Sequence, residues 1–157
     1  MSNEAVRSIL FVCLGNICRS PIAAGVMRSL VADAQPPIAV DSAGVGPWHV
    51  GKAPDGRAIA TAQRRGVDLA DDRARMLAED DFRTFDLILA MDAQVLADVW
   101  QRAPADATAQ IGLFRKVAED VDRDVDDPYY GGDDGFERVY DEIETAAKTL
   151  LENLPRN

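Results

Sequence analysis

The run Ile9-Leu10-Phe11-Val12 constrains the fold of this chain more than any other feature. It has no polar position that could give one solvated face, so it reads as a strand buried on both sides. It leads into Cys13-Leu14-Gly15-Asn16-Ile17-Cys18-Arg19-Ser20-Pro21, a polar loop followed by a helical pattern that starts near Pro21. A loop between a strand's carboxyl end and a helix's amino end collects unpaired backbone N–H groups, and the helix dipole adds positive potential. Such a place binds anions. A cysteine opens the loop and an arginine stands six residues on. A thiol among inward amides and beside a guanidinium gives up its proton readily. The guanidinium can grip two oxygens of a tetrahedral oxyanion at once. Gly15 and Asn16 tolerate the left-handed backbone that turns successive amides inward, and Ser20 can donate a hydrogen bond to a thiolate. The stretch therefore reads as a thiolate nucleophile at the floor of a phosphate cradle.

Further along, short apolar runs alternate with helical patterns. The first strand covers Ser8 to Cys13, and a helix runs from Pro21 to about Asp33. Pro36-Pro37 closes the connection that follows, and Ile38 to Ser42 is a second, β-branched strand. Gly44 to Gly51 is a loop. Pro54 to Arg65 is a helix with Pro54 near its start and Gly66 just past its end. Leu77 to Phe85 predicts a short helix with an acidic opening, and Asp86 to Met91 a second interior strand. Ala93 to Arg102 is helical, and Gln110 to Phe114 is a fourth strand despite Gly112. Phe136 to Leu154 is a long amphipathic helix, with Val139, Ile143, Ala146, Ala147, Leu150 and Leu151 inward. Strands separated by helices imply a parallel sheet with helices on both faces. Ligands of such sheets bind beyond the carboxyl ends of the strands, near a switch in strand order, where the Cys13 loop should lie.

Size and charge narrow the possibilities. A chain of 157 residues, 47 % of them apolar, makes one compact domain spanning 1–157. A net charge of −10 argues against non-specific nucleic-acid or anionic-membrane binding. It permits an anionic substrate, because local dipoles and one arginine can make a positive pocket. The early apolar run is too short for a secretory leader, and no run is long enough to span a bilayer. Two cysteines do not make an extracellular disulfide framework. The expectation is a soluble, cytoplasmic monomer.

A nucleophile at phosphorus needs a partner to protonate the leaving oxygen. The single histidine, His49, lies in a polar, Gly-rich loop and reads as solvated. The acidic stretch from Asp120 to Asp134 is mostly a solvated loop too, but Asp127 differs, because Pro128 restricts it to extended backbone. Tyr129-Tyr130 follow and could wall a pocket, and nearby negative charge would favour the protonated acid. Two other patterns carry no chemistry. Residues 46–53 resemble a nucleotide phosphate loop, but position 53 is alanine and no hydroxyl is left for magnesium. Asp122, Asp124 and Asp126 have calcium-loop spacing, but Asp127 and Asp133 replace the required glycine and glutamate. Nor does any His/Cys group have zinc spacing, so no metal site is expected.

With these residues in view, the chain resembles the low-molecular-weight protein tyrosine phosphatases, essentially from Ile9 to the final helix. The likeness rests on the stretch Val12 to Pro21, on Asp41-Ser42-Ala43-Gly44, on Phe85 to Asp92 and on Asp127-Pro128-Tyr129. It implies a single-domain α/β fold with a four-stranded parallel sheet and flanking helices, flavodoxin-like or Rossmann-like. It implies that Cys13 attacks the phosphotyrosine of a phosphoprotein to form a cysteinyl phosphate. Arg19 and the amides of Leu14, Gly15, Asn16, Ile17, Cys18 and Ser20 would hold the phosphoryl group. Asp127 would serve as acid and then base, without metal or organic cofactor. Asn16 and Ser42 resemble the pair that keeps the loop in shape. Leu14, Trp48 and Tyr129 resemble the walls around the aromatic ring, with Tyr130 at the rim. Cys18 resembles the family's resolving thiol, which would protect Cys13 through a Cys13–Cys18 disulfide. One departure is Asp72, before Arg73-Ala74-Arg75, where many relatives carry histidine. Aspartate accepts where histidine also donates, so loop support is expected to be rewired, and Asp72 is given no role.

Three other functions share this architecture or loop. Thiol-dependent arsenate reductases need further cysteines, and this chain has none beyond Cys18. Protein-arginine phosphatases resemble this loop but carry threonine where Ile17 stands. The apolar Ile17 narrows the pocket in favour of phosphotyrosine. A non-catalytic phosphate-binding module would not need Cys13, Arg19 and Asp127 together.

Overall fold

The computed structural model describes residues 5–129 and 131–155. Four parallel strands form one sheet: β1 (Ser8–Cys13), β2 (Ala39–Gly44), β3 (Leu87–Ala90) and β4 (Gln110–Leu113), in the order β2-β1-β3-β4. This is the parallel α/β architecture expected. Alternate residues of the two central strands feed two separate cores. Ile9, Phe11, Leu87 and Leu89 face one side, where α1 (Arg19–Leu30), α2 (Gly56–Arg64), α5 (Phe114–Glu119) and α6 (Asp133–Asn153) supply Ile22, Met27, Ala62, Phe114, Phe136 and Ile143. Leu10, Val12, Ile88 and Ala90 face the other, against Phe82 from α3 (Asp81–Thr84) and Val95 and Val99 from α4 (Ala93–Arg102). Both faces of the sheet are thus dry, which is why its central strands lack polar alternation. Phe11 and Phe114 meet edge to face, their ring centroids 5.2 Å apart.

Several elements differ from the sequence reading. α1 begins at Arg19, so Pro21 occupies its first turn, where proline sacrifices no hydrogen bond. β2 extends to Gly44. The helix expected from Leu77 shrinks to Asp81–Thr84, because the chain before it is drawn into extended pairing. Met76 bridges Gly44, and Leu77 N–H donates to Gly44 O at 2.8 Å. β4 stops at Leu113 because Phe114 starts α5, a helix absent from the sequence reading. Gly112 is required there, since a Cβ at that position would sit 2.6 Å from a methyl of Val117. Asp55 caps α2 by accepting from Arg57 N–H at 2.8 Å, which places the helix start after Pro54.

The strand order reverses between β1 and β3. β1 continues through α1 to β2 on one side, while β3 and β4 lie on the other. The loops leaving the carboxyl ends of β1 and β3 therefore diverge and leave a crevice, where open α/β sheets bind ligands.

Candidate active site

The loop from Cys13 to Ser20 is pinned by its carbonyls. Val45 N–H donates to Cys13 O at 3.1 Å, Gly46 N–H to Leu14 O at 2.9 Å and Asp55 N–H to Ile17 O at 2.8 Å. With these oxygens drawn outward, loop amides are left to face the concave side. Asn16 adopts the left-handed conformation, with φ of 59°, and its N–H points at the Cys13 sulfur from 3.3 Å. The Ser20 hydroxyl is 2.9 Å from the same sulfur.

The Asn16 side chain organises what lies behind the loop. Its amide Nδ2 donates to Ser20 Oγ at 2.8 Å and to Ser42 Oγ at 2.9 Å, and its Oδ1 accepts from Arg75 N–H at 3.0 Å. Asn16, Ser20 and Ser42 are all buried. Their hydrogen bonds are therefore costly to leave unmade, at about 1–3 kcal/mol for each unpaired group. Arg75 extends the network to Asp41 and Asp81, with Nη1–Oδ2 at 2.9 Å to Asp81 and Nη2–Oδ2 at 3.1 Å to Asp41. Burial opposes the Arg75 charge, but Asp81 and Asp41 raise its pKa above the ordinary value. Support behind the loop thus reaches Asn16 through the backbone of Arg75. Asp72 itself pairs with Arg28, Nη2–Oδ2 at 2.9 Å, on a partly exposed surface.

Arg19 is almost fully buried. Its Nη1 donates to Asp92 Oδ2 at 2.6 Å and to Val125 O at 3.0 Å. Asp92 can hold it because its other oxygen caps α4, accepting from Val95 N–H at 2.8 Å. Burial opposes the Arg19 charge, yet Cys13, Asp92 and Asp127 together raise its pKa. Asp127 Oδ2 is 3.6 Å from Arg19 Nη2, so the structure gives this carboxyl a positive neighbour where the sequence suggested negative ones. Its Oδ1 accepts from Tyr129 N–H at 3.0 Å, an Asx turn seeded by Pro128. Burial and then Asp55, Cys13 and Asp127 push the Cys18 thiol far above the ordinary thiol range.

One cavity of about 310 Å³ unites these groups. It is lined by Cys13, Leu14, Gly15, Ile17, Cys18 and Arg19 from the loop and its helix, by Trp48 and His49, and by Asp127 and Tyr129. Asn16 and Ser20 lie behind the loop with Ser42, outside the cavity lining. Tyr130 lies outside the described residues. His49 corrects the reading of a solvated histidine. It is half-buried, lines the cavity, packs near Gly15, and its ring centroid is 6.3 Å from that of Tyr129. Asp92, Arg75 and Asp55 are supports that the sequence reading did not single out. Only Asp92 left a sequence signal, as an acid directly between a strand and a helix. Residues 46–53, which resembled a nucleotide loop, supply two cavity walls. Of the calcium-like acids, Asp124 accepts Ala93 N–H at 3.0 Å. Among the described residues no group of His, Cys, Asp and Glu is placed to hold a metal ion. Nor is any helix among them long and apolar enough to cross a membrane.

The family model for low molecular weight phosphotyrosine protein phosphatase matches residues 8–157. The chain belongs to this family. A low molecular weight phosphotyrosine protein phosphatase from Sus scrofa is 39 % identical over 158 residues, covering 98 % of this chain and 99 % of its own. A protein tyrosine phosphatase from Entamoeba histolytica, solved with Hepes in its active site, superposes with a TM-score of 0.84 at 36 % identity, covering 92 % of this chain and 94 % of its own. A Drosophila arginine phosphatase of the same fold superposes with a TM-score of 0.85 at 32 % identity, over 92 % of this chain and 95 % of its own. Low-molecular-weight phosphatase architecture thus accommodates proteins named for two different phosphorylated side chains.

Proposed function

We propose that this chain hydrolyses protein phosphotyrosine through a cysteinyl-phosphate intermediate, with Cys13 as nucleophile, Arg19 as phosphoryl clamp and Asp127 as general acid. The convergence of these three residues with Leu14, Trp48 and Tyr129 in one cavity carries this reading. Asp92 and Val125 occupy Arg19 Nη1, so Nε and Nη2 remain as the fork that grips two phosphoryl oxygens. The loop amides stabilise charge on the equatorial oxygens as the P–O bond breaks. Cys13 Sγ attacks phosphorus, and the departing phenolate takes its proton from Asp127. The same carboxylate then takes a proton from the water that attacks the intermediate, releasing phosphate and restoring the thiolate. The reaction calls for neither metal nor organic cofactor.

The Drosophila neighbour makes phosphoarginine the second reading to weigh. Ile17 speaks for phosphotyrosine, because it puts an apolar side chain in the cavity lining, which favours an aromatic ring over a charged guanidinium. Comparison of kcat/KM on phosphotyrosine, phosphoarginine and phosphoserine peptides tests the proposal. Phosphotyrosine should be preferred by at least an order of magnitude. An equal or greater rate on phosphoarginine would overturn it.

Residues 1–157 would act as one catalytic domain and as a monomer. Both cysteines are unpaired, which suits a reducing compartment such as the cytoplasm. Peroxide would oxidise the Cys13 thiolate to a sulfenic acid. The Cys18 thiol then displaces water from it to form the Cys13–Cys18 disulfide, which a thiol reductant reopens.

A further inference from the structure

Arg57 stands beside the cavity and reaches both loops that build it. Asp55 holds the guanidinium from one side, with Nε–Oδ1 and Nη2–Oδ2 both at 3.0 Å. Asp55 is itself fixed to the Cys13 loop, since its N–H donates to Ile17 O at 2.8 Å. On the other side Arg57 Nη2 donates to Tyr129 O at 2.9 Å and Nη1 to Gly131 O at 3.2 Å. The guanidinium carbon also lies 4.6 Å from the Phe136 ring centroid, which orients the side chain from α6.

The described residues of the segment receiving these bonds form no helix or strand. It runs from α5 to α6 and is tied at Val125 to the chain just past β3, since the Val125 N–H donates to Met91 O at 2.7 Å. Asp127 lies beyond that tie. Its Oδ1 is bonded to Tyr129 N–H, and the carbonyl of the same Tyr129 is bonded to Arg57. One residue thus links the carboxyl to the guanidinium, and Asp55 completes the path back to the nucleophile's loop.

We propose that Arg57, locked by Asp55, is a positioning residue that sets Asp127 at its distance from Cys13. The proposal rests on Asp127 being the general acid. Arg57 does not line the cavity, so it acts through Asp127 and Tyr129. A displacement of about 1 Å at a catalytic group can cost a hundredfold in rate. The loss should therefore fall on the step that needs the acid.

The test measures kcat/KM for aryl phosphates of graded leaving-group acidity with wild type, Arg57→Ala, Arg57→Lys, Asp127→Asn and the Arg57→Ala/Asp127→Asn double variant. Asp127→Asn should slow the poorest leaving groups most. Arg57→Ala should reproduce that pattern at smaller amplitude, about tenfold on phenyl phosphate and little on the most acidic phenol. Arg57→Lys, which keeps a charge over Phe136 but cannot hold Asp55 and two carbonyls together, should fall between. The double variant should be no slower than Asp127→Asn alone. Inhibition by inorganic phosphate should be unchanged in both Arg57 variants. Uniform slowing across the series, an additive double variant, or weaker phosphate binding in both Arg57 variants would overturn the proposal. If Asp127→Asn shows no leaving-group dependence, the acid assignment falls and takes the proposal with it. If Asp127→Asn shows it and Arg57→Ala does not, the proposal alone falls.

Discussion

The Cys13 sulfur and the Ser20 hydroxyl oxygen lie 2.9 Å apart. A hydroxyl carries one proton, and Asn16 Nδ2 already donates to this oxygen from 2.8 Å. The Ser20 proton is thus left for the sulfur, the backbone alternative at Ala43 O being longer at 3.4 Å. A hydrogen bond to a charged group contributes about 1.5–3 kcal/mol. Ser20→Ala should therefore lower kcat about tenfold to a hundredfold and slow alkylation of Cys13 by iodoacetate. Unchanged alkylation and turnover would show that the contact does not stabilise the thiolate.

Gly46 governs the seat of Trp48. A Cβ at position 46 would lie 1.8 Å from the indole Cζ3, far inside contact distance. Trp48 is 62 % exposed, so its ring can swing away without disturbing the core. Gly46→Ala should raise KM for aryl phosphates several-fold, as should Trp48→Ala, and leave the melting temperature within a few degrees of wild type. Steady-state kinetics and a thermal melt check both. An unchanged KM would mean that Trp48 does not wall the bound ring.

Asp72 should be catalytically silent. Its pair with Arg28 is partly exposed, and such pairs contribute about 0–1 kcal/mol. Asp72→Ala should alter unfolding free energy by no more than that and leave kcat/KM on an aryl phosphate unchanged. A large loss of activity would return position 72 to the network behind the loop.

Cys18 gives stability a dependence on alkaline pH. Burial first, and then the charges of Asp55, Cys13 and Asp127, raise its thiol pKa in the folded state. Below the ordinary thiol pKa the group is protonated in both folded and unfolded chains and contributes no slope. Above it the unfolded chain releases the proton while the folded chain retains it, so stability falls as pH rises. Denaturant unfolding from neutral to strongly alkaline pH should show a decline that is shallower in Cys18→Ala. Equal slopes in the two proteins would refute this.

The sheet was legible because its two central strands are continuous apolar runs, a pattern that burial on both faces imposes. α5 was not, since Phe114 to Glu119 is too short to show periodicity and begins where β4 ends. The cradle could be read because Cys13, Asn16, Arg19 and Ser20 act within one turn of chain. Apart from Ser42, which the family resemblance supplied, its supports could not, because they arrive from far along the sequence. Arg19 meets Asp92 across 73 positions, Arg75 meets Asp41 across 34, and Arg57 meets Tyr129 across 72. Only the packing of strands, helices and loops brings these residues together. His49 was misjudged for the same reason, because a Gly-rich loop looks solvated until its fold lays it against Gly15 and the cavity.

The most direct test of the account is rapid-quench mass spectrometry of the protein mixed with a phosphotyrosine peptide. One phosphate should appear on Cys13 within the first turnover and decay as free phosphate accumulates, and Cys13→Ser should neither carry it nor turn over. Phosphate on another residue, or turnover by Cys13→Ser, would contradict the assignment of the nucleophile.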